Sequence, residues 1–177
     1  MKTIVAIFVG LISANSAFAA GISEMANTEV RAPTKLWGIE ATFQAQGLAG
    51  DSSPLFGPTA SYKLMDRNEV GVRALAPVSG SVDQGSYEFQ GLWRYYAVEA
   101  RANLFFEGSG GFNSVRGFGF GSVGAALGVR YDLATDLAFG GSGGFELANA
   151  TVQSGWATAS SSTYIYPKTS IFVSMFF

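Results

Sequence analysis

The chain of 177 residues contains no cysteine and no histidine, and only 14% of its residues are charged. Without cysteine, no disulfide can stabilise the fold and no thiolate can act as a nucleophile. Without histidine, Ser-His triads, Cys-His pairs and histidine metal sites are excluded. Carboxylate chemistry remains possible, for instance between Glu88 and Glu99 or between Glu40 and Glu146, but their spacing does not indicate a glycosidase-like pair. We therefore expect no enzymatic activity, no metal site and no cofactor.

Residues 1–19 have the layout of a secretory signal peptide. Lys2 supplies the positive start, and the run IVAIFVGLI that follows is apolar but too short to span a bilayer. The small residues Ala17 and Ala19 then form a cleavage site, so we expect cleavage between Ala19 and Ala20. A retained anchor helix would leave that small-residue site without a purpose. Residues 20–34 become an N-terminal periplasmic lead.

Long hydrophobic runs are missing after residue 20. The uncharged run of 13 residues between Arg116 and Arg130 is rich in glycine, whereas a spanning helix needs about 20 mainly apolar residues. An apolar, exported chain without such a helix can still cross lipid as a closed β-barrel, the one other structure that satisfies its backbone hydrogen bonds there. The formal net charge of −2 excludes the basic footprint of a nucleic-acid-binding protein.

Apolar residues alternate with small or polar ones in eight segments, which predicts eight strands. The clearest segment is Leu36 to Gly47, where Trp37, Ile39 and Phe43 share one face. The other predicted strands lie near 59–65, 70–76, 87–95, 98–106, 122–131, 137–147 and 168–177. Long loops at 47–58, 77–86, 107–117 and 149–164 alternate with short turns near 66–68, 96–97 and 132–136. This pattern predicts an all-β, antiparallel, up-and-down transmembrane barrel over residues 35–177, and the chain is too short for a 16-stranded porin.

The sequence resembles the small outer-membrane β-barrels of Gram-negative bacteria, the OmpA-, OmpX- and OmpW-like and opacity-type group. The resemblance is carried by the signal peptide, by GVRYDLATDLAFGGSGGFEL at 128–147 and by the terminal Phe177. It implies residence in the outer membrane, and it implies that Phe177 is part of the signal read by the barrel-assembly machinery. One departure is Phe172, which stands where that group often has glycine.

Most charged residues of the predicted strands fall on the face opposite the apolar stripe. We expect them to point into the lumen, as Glu40, Lys63, Arg73, Glu88, Arg94, Glu99, Arg101, Arg130 and Glu146. The interior of an eight-stranded barrel is only just wide enough for its side chains, and buried charges need partners. A paired network that plugs the lumen is therefore expected. The alternative is a narrow anion path lined by Arg73, Arg94, Arg101 and Arg130.

Gly119-x-Gly121-x-x-Gly124 has the spacing of a dinucleotide-binding fingerprint. Such a site needs a helix after the glycines, whereas here a period-two segment follows. We interpret the glycines as a loop end and as small inward-facing residues of the sixth strand.

Three functions fit these patterns. The first is a surface platform that presents four external loops, with lipid and lipopolysaccharide as its surroundings and a monomeric state. The second is an OmpW-like channel or carrier for small or hydrophobic solutes. The third is a soluble lipocalin-like binding barrel with its apolar face inside.

Overall fold

A computed structural model describes residues 35–46, 54–78, 86–97, 101–115, 118–152 and 160–177. The expected cleavage site at Ala19 and Ala20, the N-terminal lead and Glu99 lie outside these residues. In the described part of the chain, no helix has the length and hydropathy needed to cross a membrane.

Eight strands form one closed antiparallel barrel in which each strand pairs with the next and β8 pairs with β1. The strands are β1 (Trp37–Gln46), β2 (Leu55–Met65), β3 (Asn68–Pro77), β4 (Ser86–Tyr96), β5 (Ala102–Val115), β6 (Phe118–Asp132), β7 (Leu137–Val152) and β8 (Ser160–Phe176). The predicted all-β, eight-stranded, up-and-down architecture is confirmed.

The period-two pattern of the sequence decides which side chains face outward. In β1, Ile39 and Phe43 are exposed while Glu40 and Thr42 are buried. The same alternation holds in the other strands, because successive side chains of a strand point to opposite faces. No charged residue stands at an outward position of the described strands. The barrel is therefore apolar outside and polar inside.

The strands are staggered around the barrel. The stagger can be followed by stepping around the barrel from each residue to its partner on the next strand. Starting at Gln46 of β1, the successive partners are Lys168, Gly144, Ala126, Glu107, Arg94, Glu69 and Lys63. This path returns to β1 at Leu36, whose carbonyl accepts the Lys63 N–H at 2.8 Å. One circuit thus displaces the register by about ten residues, a stagger that goes with a strand tilt of roughly 40°.

The two halves of the barrel differ in height. Strands β1 to β4 have 10 or 11 residues, whereas β5 to β8 have 14 to 17. A tilted strand needs about 9–11 residues to cross a bilayer, so the second half is longer than a crossing requires. Since β8 pairs with β1 only as far as Lys168, its residues 160–167 extend past the end of β1. We call this the loop end and the opposite rim the turn end.

The predicted third long loop is wrong. Residues 107–115 continue β5, and the β5–β6 ladder runs without interruption to the pair Val115–Phe118. The sequence there, EGSGGFNSV, is rich in glycine and serine, which are typical of loops. These residues still alternate, with Glu107 and Asn113 buried on the inner face and Phe112 exposed outside. The strict alternation of long loops and short turns therefore fails at this hairpin.

Other predicted boundaries also shift. β2 begins at Leu55 rather than Thr59, and the β7–β8 ladder extends to Val152–Ser160, so the loops predicted at 47–58 and 149–164 are shorter. β4 continues to Tyr96, where a turn was predicted, and β5 begins at Ala102. The predicted turn at 66–68 is confirmed as Asp66-Arg67.

Candidate functional site in the barrel lumen

Two groups of polar side chains fill the lumen. The turn-side cluster contains Arg73, Arg94, Arg130, Glu40, Glu69, Glu107 and Asp132, with Tyr96 and Asn103. The loop-side cluster contains Lys168, Glu88, Glu146, Gln44, Gln90 and Asn113. All residues of the two clusters are at most 6% exposed.

Arg94 is the centre of the turn-side cluster. Its Nε donates to Glu107 at 2.8 Å, and its Nη1 donates to Glu69 at 3.2 Å. Both of its terminal nitrogens donate to Glu40, which lies on the far side of the lumen on β1. One guanidinium therefore connects β4 with β1, β3 and β5.

Arg73 and Arg130 extend this network in two directions. Arg73 donates from Nη1 and Nη2 to the two carboxylate oxygens of Glu107, each at 3.1 Å. Arg130 donates to Glu69 at 3.2 Å and to Asp132 at 3.1 Å. The two nitrogens of the Arg73 guanidinium match the two oxygens of the Glu107 carboxylate. Arg94 shares Glu107 with Arg73 and Glu69 with Arg130, so the three arginines belong to one network.

Aromatic rings flank two of these guanidinium groups. The Arg94 Cζ lies 5.2 Å from the ring centre of Phe105 and 4.7 Å from that of Phe172. The Arg130 Cζ lies 4.2 Å from the ring centre of Tyr96 and 5.1 Å from that of Phe176. Each cation is thus attracted by two ring faces as well as by its carboxylates. We call these four rings the aromatic seal of the turn end.

The loop-side cluster is organised around one ammonium group. The Lys168 Nζ lies 3.2 Å from Glu88, 3.0 Å from Glu146 and 2.8 Å from the amide oxygen of Gln90. An ammonium has three N–H donors, so these three oxygens use all of them. Phe120, Ala148 and Tyr166 form a buried apolar group next to this cluster, and Tyr166 accepts from the Asn113 amide at 2.9 Å.

Neither cluster is electrically neutral when its members carry their ordinary charges. The turn-side cluster has three arginines against four carboxylates, and the loop-side cluster has Lys168 against Glu88 and Glu146. Each cluster therefore has one carboxylate in excess.

Six of the nine predicted lumen charges belong to these clusters, namely Glu40, Arg73, Glu88, Arg94, Arg130 and Glu146. The other predictions have different outcomes. Lys63 is only partly buried near the turn end and belongs to neither cluster. Arg101 precedes β5 and lies 5.2 Å from the ring of Tyr131, outside both clusters. Glu99 lies outside the described residues.

Four charged members were missed, and each has a local reason. Glu69, Asp132 and Lys168 stand close to predicted turn or strand limits, and Glu107 lies in the predicted third long loop. Extending the period-two alternation by two residues at each strand end places Glu69, Glu107 and Asp132 on the inner face. Lys168 directly follows Pro167, and a proline argues against a continuous strand in the sequence although β8 runs through it.

Glycines on the inner face make room for the aromatic seal. A Cβ at Gly128 would lie 2.2 Å from the Phe105 ring, and one at Gly140 would lie 2.5 Å from the Phe172 ring. Gly119 and Gly121, by contrast, face outward within β6. The interpretation of these two glycines as a loop end is therefore wrong, while the absence of a following helix is confirmed over residues 118–132.

Within the described ranges, no group of three or more acidic side chains is arranged to hold a metal ion.

The comparisons with known proteins show the fold. No protein-family model matches the chain, and no curated protein sequence does. The N-terminal β-barrel domain of Pseudomonas aeruginosa OprF is similar in structure, with a TM-score of 0.51 and 12% identity over 81% of this chain and 98% of that one. Neisserial surface protein A is also similar, with a TM-score of 0.55 and 12% identity over 80% of this chain and 96% of that one. The expected likeness to small outer-membrane barrels is confirmed at the level of the fold.

Proposed function

We propose that this chain is an integral protein of the bacterial outer membrane, in which a closed barrel serves as a rigid platform for the connections at its loop end. The observation that carries the proposal is the division of side chains between the two faces. The described strands place no charge outside, while the turn-side and loop-side clusters occupy the inside.

The outer face has the composition that lipid requires. Large apolar side chains cover it, such as Leu127 at 61% exposure, Val123 at 58% and Phe145 at 52%. Barrels of the outer membrane carry an apolar band about 25 Å tall on this face. A water-soluble barrel would turn its charged side chains outward, so the division of faces argues against the lipocalin-like alternative.

The orientation follows from the lengths of the connections. The turn end has short connections, including Asp66-Arg67, and it is ringed by exposed aromatic side chains such as Trp37, Trp93 and Tyr95. Short turns face the periplasm in this class of barrel, and aromatic rings collect at membrane interfaces. We therefore orient the turn end toward the periplasm and the taller wall of β5 to β8 outward.

The filled lumen favours a platform over a channel. Three of the four arginines considered for an anion path, Arg73, Arg94 and Arg130, are bound to carboxylates. An anion would have to displace these carboxylates, and leaving buried charges without partners is costly. We accordingly propose that neither small solutes nor hydrophobic molecules pass through the unmodified barrel, and that it catalyses no reaction.

The partners that we propose follow from the same arrangement. The outer face of the barrel contacts lipid, and the half of this face next to the loop end contacts lipopolysaccharide. Phe177 lies at the end of β8, where the backbones of Phe177 and Trp37 bond in both directions at 3.0 and 3.3 Å. We propose that the barrel-assembly machinery recognises this aromatic residue on the strand that closes the barrel. The apolar belt needs no second subunit, which is consistent with a monomer.

Electrophoresis of the refolded chain tests whether it is a membrane barrel. An unheated sample in SDS should migrate as a compact species, and a boiled sample should migrate at the position of the unfolded chain. Identical migration of both samples, together with solubility in buffer without detergent, would reject the membrane assignment.

Recordings across planar bilayers test whether the lumen is closed. We expect insertion without steady single-channel conductance. The double variant Phe105→Ala, Phe172→Ala removes two rings of the aromatic seal and should conduct more than the parent. Steady conductance of the parent itself would favour the channel hypothesis instead.

A further inference from the structure

We propose that the loop-side cluster binds one monovalent metal cation, held by carboxylate and amide oxygens inside the barrel. This inference goes beyond the proposed platform and does not depend on it, because it concerns the chemistry of the lumen alone.

Charge is the first reason. Glu88 and Glu146 are 2% and 0% exposed, and Lys168 supplies one positive charge between them. No other cationic side chain is bonded to either carboxylate among the described residues. An isolated excess charge is costly away from water, and one monovalent cation would balance it.

Two orphaned amide oxygens are the second, independent reason. The Oε1 of Gln44 and the Oδ1 of Asn113 are buried and have no hydrogen-bond partner, although their residues are 0% and 1% exposed. A buried carbonyl oxygen without a partner is rare in folded proteins. Some donor or cation is therefore needed beside each oxygen.

The amide orientations are fixed by the cluster itself. Gln44 Nε2 donates to Glu88 at 2.7 Å, and Asn113 Nδ2 donates to Glu146 at 2.7 Å. Rotating either amide would place its oxygen against a carboxylate, so the oxygens stay where they are. Lys168 cannot serve them, because its three donors already lie on Glu88, Gln90 and Glu146.

The chemistry of these groups selects the ion. Carboxylate and amide oxygens are ligands for hard cations such as Na⁺ and K⁺. Lys168 compensates one of the two carboxylates, which leaves the cluster one negative charge. One monovalent cation would neutralise that charge, whereas a divalent cation would leave an excess positive charge. No cysteine or histidine exists in the chain to attract a softer metal.

Thermal unfolding of the refolded full-length protein in detergent provides the first test. Samples in NaCl, KCl or choline chloride at equal ionic strength and in a non-ionic detergent are compared by the loss of the β-sheet circular dichroism signal on heating. We expect a midpoint that rises by roughly 3 to 5 °C for each tenfold increase in Na⁺ or K⁺ above the dissociation constant, and no such rise in choline. Equal midpoints in all three salts would overturn the proposal.

Two variants separate binding from general stability. Glu88→Gln should abolish the response to Na⁺ and K⁺, because it removes the excess charge. The matched control is Glu40→Gln, which removes a carboxylate from the turn-side cluster and should keep the response even though it destabilises the fold. Loss of the response in both variants would assign the effect to overall electrostatics and reject the site.

Asn113→Asp tests the selectivity argument. It adds a carboxylate to the cluster, and the preference should move from Na⁺ or K⁺ toward Ca²⁺. Crystals of the parent soaked in Tl⁺ supply a direct readout, with an anomalous peak expected beside Glu88 or Glu146 and within contact of a free amide oxygen. Absence of this peak, with a midpoint that depends on pH instead of on cation, would mean that a proton neutralises the cluster. A steady channel current would reject the closed platform without affecting this result.

Discussion

Arg94 of β4 and Glu107 of β5 stand directly opposite each other, and the Arg94 Nε donates to the Glu107 carboxylate at 2.8 Å. Their contact fixes the register of two neighbouring strands from inside the barrel. It also joins Arg94 to Arg73, because Glu107 binds Arg73 as well.

Removing the central cation should destabilise the barrel strongly. Arg94→Met leaves Glu40, Glu69 and Glu107 short of a partner, and breaking a buried ion pair in this way costs about 3–5 kcal/mol. The free energy of unfolding, measured by urea titration in micelles, checks this value. Lys35→Ala is the control, because Lys35 and Asp136 are exposed and 3.9 Å apart, and such surface pairs contribute about 0–1 kcal/mol. Similar losses in both variants would contradict the network described here.

Glycines under the aromatic seal should not tolerate a methyl group. Gly128→Ala places a Cβ within 2.2 Å of the Phe105 ring and 2.6 Å of the Gly141 carbonyl oxygen. Overpacking of this kind costs about 1–3 kcal/mol. Gly91→Ala is the matched control, because its nearest neighbour would lie 3.8 Å away. The unfolding free energies of the two variants should therefore differ clearly, and Phe105→Leu should recover part of the loss at Gly128.

A charge on the outer face should affect insertion according to its depth. Leu127 faces outward near the middle of β6, whereas Leu133 lies in the connection at the turn end. Leu127→Arg should cost about 2–4 kcal/mol in a bilayer, and Leu133→Arg about 0–1 kcal/mol. Folding yields into lipid vesicles, compared at equal protein concentration, test this ranking. Equal yields would mean that the outer face does not contact hydrocarbon.

Hydrogen exchange should show that residues 108–115 belong to a strand. Their amides pair with β4 and β6 as far as Val115, so they should exchange slowly despite a sequence rich in glycine and serine. The amides of Thr135 and Asp136 provide the fast reference, whereas those of Leu133 and Ala134 donate to the Leu137 carbonyl at 2.9 and 3.0 Å and are left out of it. Equally fast exchange in both segments would mean that residues 108–115 form a loop, as the sequence predicts.

The sequence by itself determined the number of strands, their antiparallel order and the face that each central residue occupies. The physical reason is that side chains alternate strictly along a strand, so the alternation alone places residues such as Glu40, Arg73 and Glu146 inside. The terminal residues of each strand carried less information. Glycine and serine at 108–111 signal a loop locally, and only pairing with two neighbouring strands makes them part of β5.

Only the tertiary structure decided which charges meet. Alternation says that Arg94 and Glu40 point inward, but they are separated by 54 positions in the chain. Their contact depends on the stagger that closes β8 against β1 and sets which inward residues share a level. The same closure divides the lumen into two clusters, each with one carboxylate in excess, because a narrow barrel forces side chains from opposite walls into contact.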